Sequence, residues 1–376
     1  MTTNLVLAPR RRAARPDLLE CRLRKYHPRF QPAVRALATQ HPRLADLAAS
    51  FPALLFALAV PRPGLDPARA QTCVLEGASL AEASAAADLP LWVRRLPPEA
   101  FVRPIAGLPD GALFRRQIAN HLPRLARQAS LWLQVVTEVA EIAHEPAAVW
   151  IAREMVRKPQ SMNPDRLRLV GLWAWFSGQP GTAGHDLIDR PWTPDMRMKA
   201  ALAAADEWRT VVALHLNLGP RPISDMWLAP GRVGGFDFLP LHSIAAITDE
   251  AKTMRNCLNS YGNNLAHDRS RLWSVRCDGK RVATLKVARL PGDPLLNIVE
   301  LRGAGNAQVS REVWWAARRW LNMHDLPRID AQQRKWRTVT LDRTTWLSLW
   351  RPYWLAKRRI PEWLPIAPSR NALGRL

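Results

Sequence analysis

Leu272-Trp-Ser-Val-Arg-Cys-Asp-Gly-Lys-Arg-Val-Ala-Thr-Leu-Lys-Val287 alternates apolar and polar residues on both sides of an Asp278-Gly279 pair. Alternation is the period of a half-buried strand, and Asp-Gly is a strong hairpin signal, so the stretch predicts two antiparallel strands. Register decides what each face carries. A two-residue turn pairs Cys277 with Lys280 and sets Arg276 beside Leu285 and Val287. A three-residue loop from Cys277 to Gly279, with the glycine left-handed, pairs Arg276 with Lys280 instead. Trp273, Val275, Ala283, Leu285 and Val287 then share one face, and Ser274, Arg276, Thr284 and Lys286 share the other. A one-residue slip exchanges faces, so the cleaner partition favours the three-residue loop.

Outward from the hairpin, strand-like runs at 236–241 and 295–302 bring the predicted sheet to three or four strands. The second run follows the turn signal Pro291-Gly-Asp-Pro294. Thr248-Asp249-Glu250 supplies a cap and first-turn acids for a helix to about Tyr261, and 309–323 is amphipathic. Residues 1–218 read as helices with proline-punctuated connections, with helical spacing at 42–58, 114–143, 146–156, 164–176 and 194–216. The last opens with Thr193 ahead of Pro194 and closes near Gly219-Pro220. Three prolines and four glycines between Gly219 and Gly235 read as a linker. The expectation is an α+β chain. It comprises a helical region (1–218), a linker (219–235), a small domain with an antiparallel sheet packed by helices (236–330), and a Trp/Arg-rich extension (331–376).

Composition narrows the function classes. The chain of 376 residues has room for two or three domains of roughly 150 residues. With 48% hydrophobic and 23% charged residues, neither wholesale disorder nor a fibrous protein fits. The nearest approach to a membrane span is the run at 51–60, far short of the roughly 18 to 20 residues needed, so no membrane association is predicted. Arg10 to Arg12 have no apolar core behind them, so no secretory signal is expected. Cysteines at 21, 73, 257 and 277 lack C-x-x-C spacing and suit a reduced, cytoplasmic protein. Nine scattered histidines offer no metal spacing. Walker and Rossmann glycine patterns are missing, so neither metal nor cofactor is predicted. Charge is the loudest signal: 54 basic against 32 acidic side chains, a net of +22, with 46 of the 54 being arginine. That surplus favours a polyanionic partner, most simply nucleic acid, DNA or RNA.

Four stretches carry a resemblance. They are Glu250-Ala-Lys-Thr-Met-Arg-Asn-Cys-Leu-Asn-Ser-Tyr261, Trp273-Ser-Val-Arg276, Val282-Ala-Thr284 and Val299-Glu-Leu-Arg-Gly-Ala-Gly-Asn306. Together they resemble the PcfJ-like family, named from a conjugative-plasmid protein. That pattern has an acid, an apolar residue, His-Cys, and a Tyr four residues after the Cys. An Arg on a strand, Thr-x-Glu on the next and Gly-x-x-Asn after the third complete it. Glu250, Met254, Cys257, Tyr261, Arg276, Thr284, Gly303 and Asn306 match; Asn256 stands where histidine is usual and Lys286 where glutamate is usual. The resemblance is confined to about 236–321 and implies a mobile-element setting, plasmid or phage.

Candidate catalytic residues are Glu250, Cys257 and Tyr261. Met254, Cys257, Leu258 and Tyr261 share one helical face, so Cys257 is also expected to be buried and unreactive. Arg276, Thr284 and Lys286, with Arg302 and Asn306, are candidate ligand-binding residues, Arg276 at the centre, because a guanidinium fork beside hydroxyls suits an anion. Ser79 and Glu82 form a capping box that opens either a plain helical hairpin, the reading favoured because the second helix has at most about two turns, or a helix-turn-helix near 79–95 with Arg94 and Arg95 near a DNA backbone. Trp346, Trp350 and Trp354, spaced by four among Arg351, Lys357, Arg358 and Arg359, suit either base stacking or a buried stripe. The expected function is a nucleic-acid-associated accessory protein. An enzyme sited on the sheet face and the 250–261 helix is the alternative, and a protein–protein interaction module the second alternative.

Overall fold

Proline and glycine set the lengths of the helices. The computed structural model describes residues 18–157, 163–290, 295–324 and 342–358. The chain divides into two compact units, Met1–Gly171 and Leu172–Leu376. The first holds α1 (Leu18–Leu23), α2 (Gln31–Ala38), α3 (Pro42–Ser50), α4 (Pro52–Ala59), α5 (Ala68–Glu76), α6 (Leu80–Ala86), α7 (Ala112–Ile118), α8 (Ala126–Ile142) and α9 (Glu145–Arg157). The predicted helix at 42–58 is two, because Pro52 keeps Phe51 out of the helical region (φ −154°, ψ 73°) and opens α4 itself. The run at 114–143 is likewise split into α7 and α8.

Gly77, at φ +85°, caps α5, and the Ser79–Glu82 capping box opens α6. The next element, Leu91–Arg95, is a 3-10 stretch of five residues, too short for a recognition helix. The hairpin reading therefore replaces the helix-turn-helix.

α10 (Pro164–Ser177) carries the chain across the division between units. The second unit then begins with α11 (Ala183–Asp186) and α12 (Met198–Leu218). α12 starts after Arg197 rather than at Thr193-Pro194, and stops at Gly219, φ +66°. It packs on α13 (Ile244–Met254) and α14 (Gly262–Ala266). The composition shift at 219–235 thus lies inside a compact unit, not between two.

The last part of the supposed linker enters the sheet. Strands β1 (Gly231–Val233), β2 (Phe236–Pro240), β3 (Ser270–Cys277), β4 (Lys280–Arg289) and β5 (Leu296–Arg302) pair in chain order, all antiparallel. The added strand, β1, turns into β2 through Gly234 and Gly235, at φ +58° and +83°, a conformation cheap only for glycine.

At the decisive hairpin the three-residue loop does not form. Asp278 (φ +49°) and Gly279 (φ +76°) make a two-residue turn that pairs Cys277 with Lys280 and Arg276 with Arg281. A bulge then inserts Val282, so Val275 faces Ala283 and Ser274 faces Thr284. The bulge recovers the predicted partition of faces from a turn that alone would have exchanged them.

Both faces are covered. On one, α15 (Arg311–Asn322) lays Val313, Ala316, Ala317, Trp320 and Leu321 onto Trp273, Val275, Ala283, Leu285 and Val287. Trp320 stacks on Phe238 with ring centres 4.7 Å apart and meets Trp273 edge-on at 4.8 Å. On the other, Ile247 and Ala251 of α13 join Leu214, Leu258, Leu265 and Leu272. α16 (Arg343–Lys357) buries Trp346, Trp350 and Tyr353, the last two against Trp175, Phe176 and Trp208, which gives Trp346 and Trp350 of the tryptophan stripe to the core and leaves Trp354 half-buried. Trp336, Arg359, Trp363 and the 291–294 turn lie outside the described residues.

Candidate functional site

The predicted helix at 248–261 is instead α13 followed by a break. Ser243 caps it, its hydroxyl accepting from the Ala246 N–H, so Asp249 and Glu250 sit mid-helix. Arg255 ends it in the left-handed region, φ +50°, where its N–H and that of Asn256 return to the Lys252 and Ala251 carbonyls. Cys257 therefore does not join a buried stripe. It lies in the turn before a 3-10 stretch, Leu258–Tyr261, and is exposed, while Met254 and Leu258 stay buried.

Glu250 faces the sheet with no solvent exposure. Arg281 Nε donates to one carboxylate oxygen at 2.8 Å and Thr284 Oγ1 to the other at 3.1 Å. Arg281 also reaches Thr253 Oγ1, at 3.1 Å, and Asp249. Asn256 Nδ2 donates to Thr284 Oγ1 at 3.1 Å, while its Oδ1 accepts the Leu258 N–H. Position 256 thus ties the helix break to strand β4. Both Glu250 oxygens accept a hydrogen bond from β4, one of them from the Arg281 guanidinium, so the cluster acts as a clamp of α13 to the sheet.

Two residues along β4 on the same face, Lys286 opposes Glu300 of β5 and bonds it at 3.3 Å. Tyr261 donates its hydroxyl to Glu300 at 2.5 Å, and Lys286 Nζ sits 4.1 Å from the centre of the tyrosine ring. Burial, then the Glu300 carboxylate, raises the Tyr261 pKa well above its usual value.

The structure therefore brings Glu250 and Thr284 together, and Tyr261 with Lys286. Arg276 stands apart: its Nε donates to Ser274 Oγ at 3.3 Å, and the guanidinium at the carboxylate belongs to Arg281. Arg302 pairs with Thr284 through the backbone only and is exposed, as is Asn306 in the 3-10 turn after β5. Arg94 donates to the Ser50 carbonyl at 2.9 Å, and Arg95 is exposed. Sequence reading missed Arg281 and Asp249, which share no periodic pattern with their partners.

Beside the clamp lies a cleft of about 900 Å³, lined from α12 by Trp208, Val211 and His215, from α13 by Thr248 and Lys252, and from the turn by Cys257. Burial pulls the His215 imidazole below its usual pKa, so the ring is neutral at pH 7. Lys252 pairs with Asp189 at 2.5 Å along the cleft wall. Among the described residues no group of three metal-ligating side chains occurs, and no helix is long and apolar enough to cross a membrane.

The outer face of α15 sets exposed cations beside an exposed aromatic ring. Its amphipathic spacing buries Trp320, so of the adjacent pair Trp314 and Trp315 one must turn outward; Trp315 is 53% exposed. Arg311, Arg318 and Arg319 are exposed around it, and among the described residues none of the three forms an ion pair. Arg319 lies 5.1 Å from the Trp315 ring centre and Arg318 5.6 Å from that of Trp314.

No family model, curated protein or solved structure matches this chain.

Proposed function

We propose that this protein is a nucleic-acid-associated accessory factor that holds its partner chiefly through phosphate contacts. One observation carries the reading: Arg311, Arg318 and Arg319 project from one helix face with no carboxylate partner among the described residues, in a chain of net charge +22. A guanidinium that is not neutralised within the fold is free to replace the counterions of a phosphate backbone. Arg302 and Arg276, on the opposite side of the sheet, add cations outside the Glu250 clamp. The resemblance of 236–321 to PcfJ-like proteins supports a plasmid or phage setting.

Binding to a 20-nucleotide oligomer, followed by fluorescence anisotropy between 50 and 200 mM salt, tests the proposal. A linear fall of log affinity with log salt is expected, about 10³-fold if six phosphates are engaged. Replacing all three α15 arginines with alanine should lower that slope by about three. Absence of binding at 50 mM salt would overturn the reading.

A further inference from the structure

We infer that α15 carries a base-stacking platform, centred on Trp315, that selects single-stranded over double-stranded nucleic acid. The inference rests on the nucleic-acid reading above and adds the kind of strand. Arginines alone predict contact with any phosphate backbone, duplex or single strand, because they read charge. An exposed indole among them adds a surface that only an unpaired base can cover, since duplex bases present their edges and not their faces.

The geometry supports that role at each step. Arg311 and Arg319 stand four residues before and after Trp315, and Arg318 three after, so all three share its side of the helix. The helix is fixed beneath them: Trp320, Ala316 and Ala317 are buried against the sheet. The indole is itself held in place. A Cβ built on Gly234 would stand 3.1 Å from its ring, so the β1–β2 turn buttresses it, and Arg319 lies over the ring at 5.1 Å. The residue nevertheless remains exposed. A lone exposed tryptophan is ordinary on a protein surface. A buttressed one flanked by Arg311, Arg318 and Arg319, none of them in an ion pair among the described residues, presents a ring for a base and cations for the phosphates on either side of it. Charge complementarity names the occupant as a polyanion, and the ring face names it as unpaired.

The test uses the full chain, a 20-nucleotide oligothymidylate and a 20-base-pair duplex, at one low salt concentration. Trp315→Ala should weaken oligothymidylate binding about tenfold or more, the loss of one stacked base, and leave duplex binding within twofold. Trp315→Phe, which keeps a ring face, should restore most of the loss. Because the side chain is exposed, circular dichroism should show both variants folded. Equal weakening of both probes by Trp315→Ala, or none of either, overturns the strand preference while leaving phosphate-led binding intact. Failure of the unaltered protein to bind either probe overturns the nucleic-acid reading itself. Tighter capture by anionic vesicles or by an acidic peptide than by oligothymidylate overturns the inference in favour of those partners.

Discussion

The two faces of the sheet are held by different physics. Toward α15 the contact is largely dry: Phe238, Trp273, Val275, Leu285 and Trp320 pack together, with His324 edge-on to Trp320 at 5.1 Å. Packing outranks hydrogen bonding there, since the indole N–H groups of Trp273 and Trp320 are buried without an acceptor among the described residues. Toward α13 a smaller apolar cluster is stitched by Glu250, Arg281, Thr284 and Asn256. Area burial is non-directional and tolerates sliding, whereas a carboxylate bonded at both oxygens fixes one position of helix on strand. The dry face should therefore supply most of the stability of this unit, and the clamp the position of α13 and the cleft beside it.

Breaking the dry face should have the largest effect. Trp320→Ala removes the ring that joins α15 to β2 and β3. A loss of about 3 to 5 kcal/mol is expected from a large-to-small core change, read as the midpoint shift in urea denaturation. A loss below about 1 kcal/mol would show that α15 is not the principal cover of this face.

The clamp comes second. Glu250→Ala leaves the Arg281 guanidinium with only Asp249 and Thr253 and the Thr284 hydroxyl without its acceptor, which should lower stability by about 3 kcal/mol. Glu250→Gln keeps an acceptor for Thr284 and should fall between alanine and the unaltered protein. A double-mutant cycle of Glu250→Ala with Arg281→Ala sharpens the comparison, because a true pair gives a coupling energy and two independent surface groups do not. Additivity of the two changes would dissolve the clamp.

Sequence alone reached the dry face and not the clamp. Alternation in 272–287 and helical spacing in 309–323 name Trp273, Val275, Leu285 and Trp320, because each period is local and survives a change of turn. Turn length escaped, since the choice between two and three residues depends on whether β4 can bulge at Val282, a matter of what packs on it. The clamp escaped because Arg281 and Glu250 are 31 residues apart, and neither position follows from a period. Arg276 looked central for that reason: with the bulge invisible, it occupied the place that Arg281 holds. Cys257 was misplaced by one residue's conformation, the left-handed Arg255 that ends α13. Trp315 was not singled out, although adjacent tryptophans cannot share one face of a helix and one of Trp314 and Trp315 had to turn outward.

The smallest expected effect separates the two layers by pH. His215 lies on α12, on the α13 side of the sheet, lining the cleft with Arg221, Lys252, Asp206 and Glu207. Burial holds its imidazole below the usual value near 6.5, so folding favours the neutral ring. As the pH falls toward and below about 6.5, the unfolded chain takes up a proton before the folded one does. The unfolded state then binds more protons, so stability falls with falling pH; above about pH 7 neither state is protonated and the contribution is constant. His215→Gln removes the titration. The difference in melting temperature between pH 7.5 and 5.5 should therefore shrink in His215→Gln, with the profiles of the two proteins parallel above pH 7. If His215→Gln retains the full acid sensitivity, the buried imidazole is not its source, and the α13 layer responds to pH through its carboxylates instead.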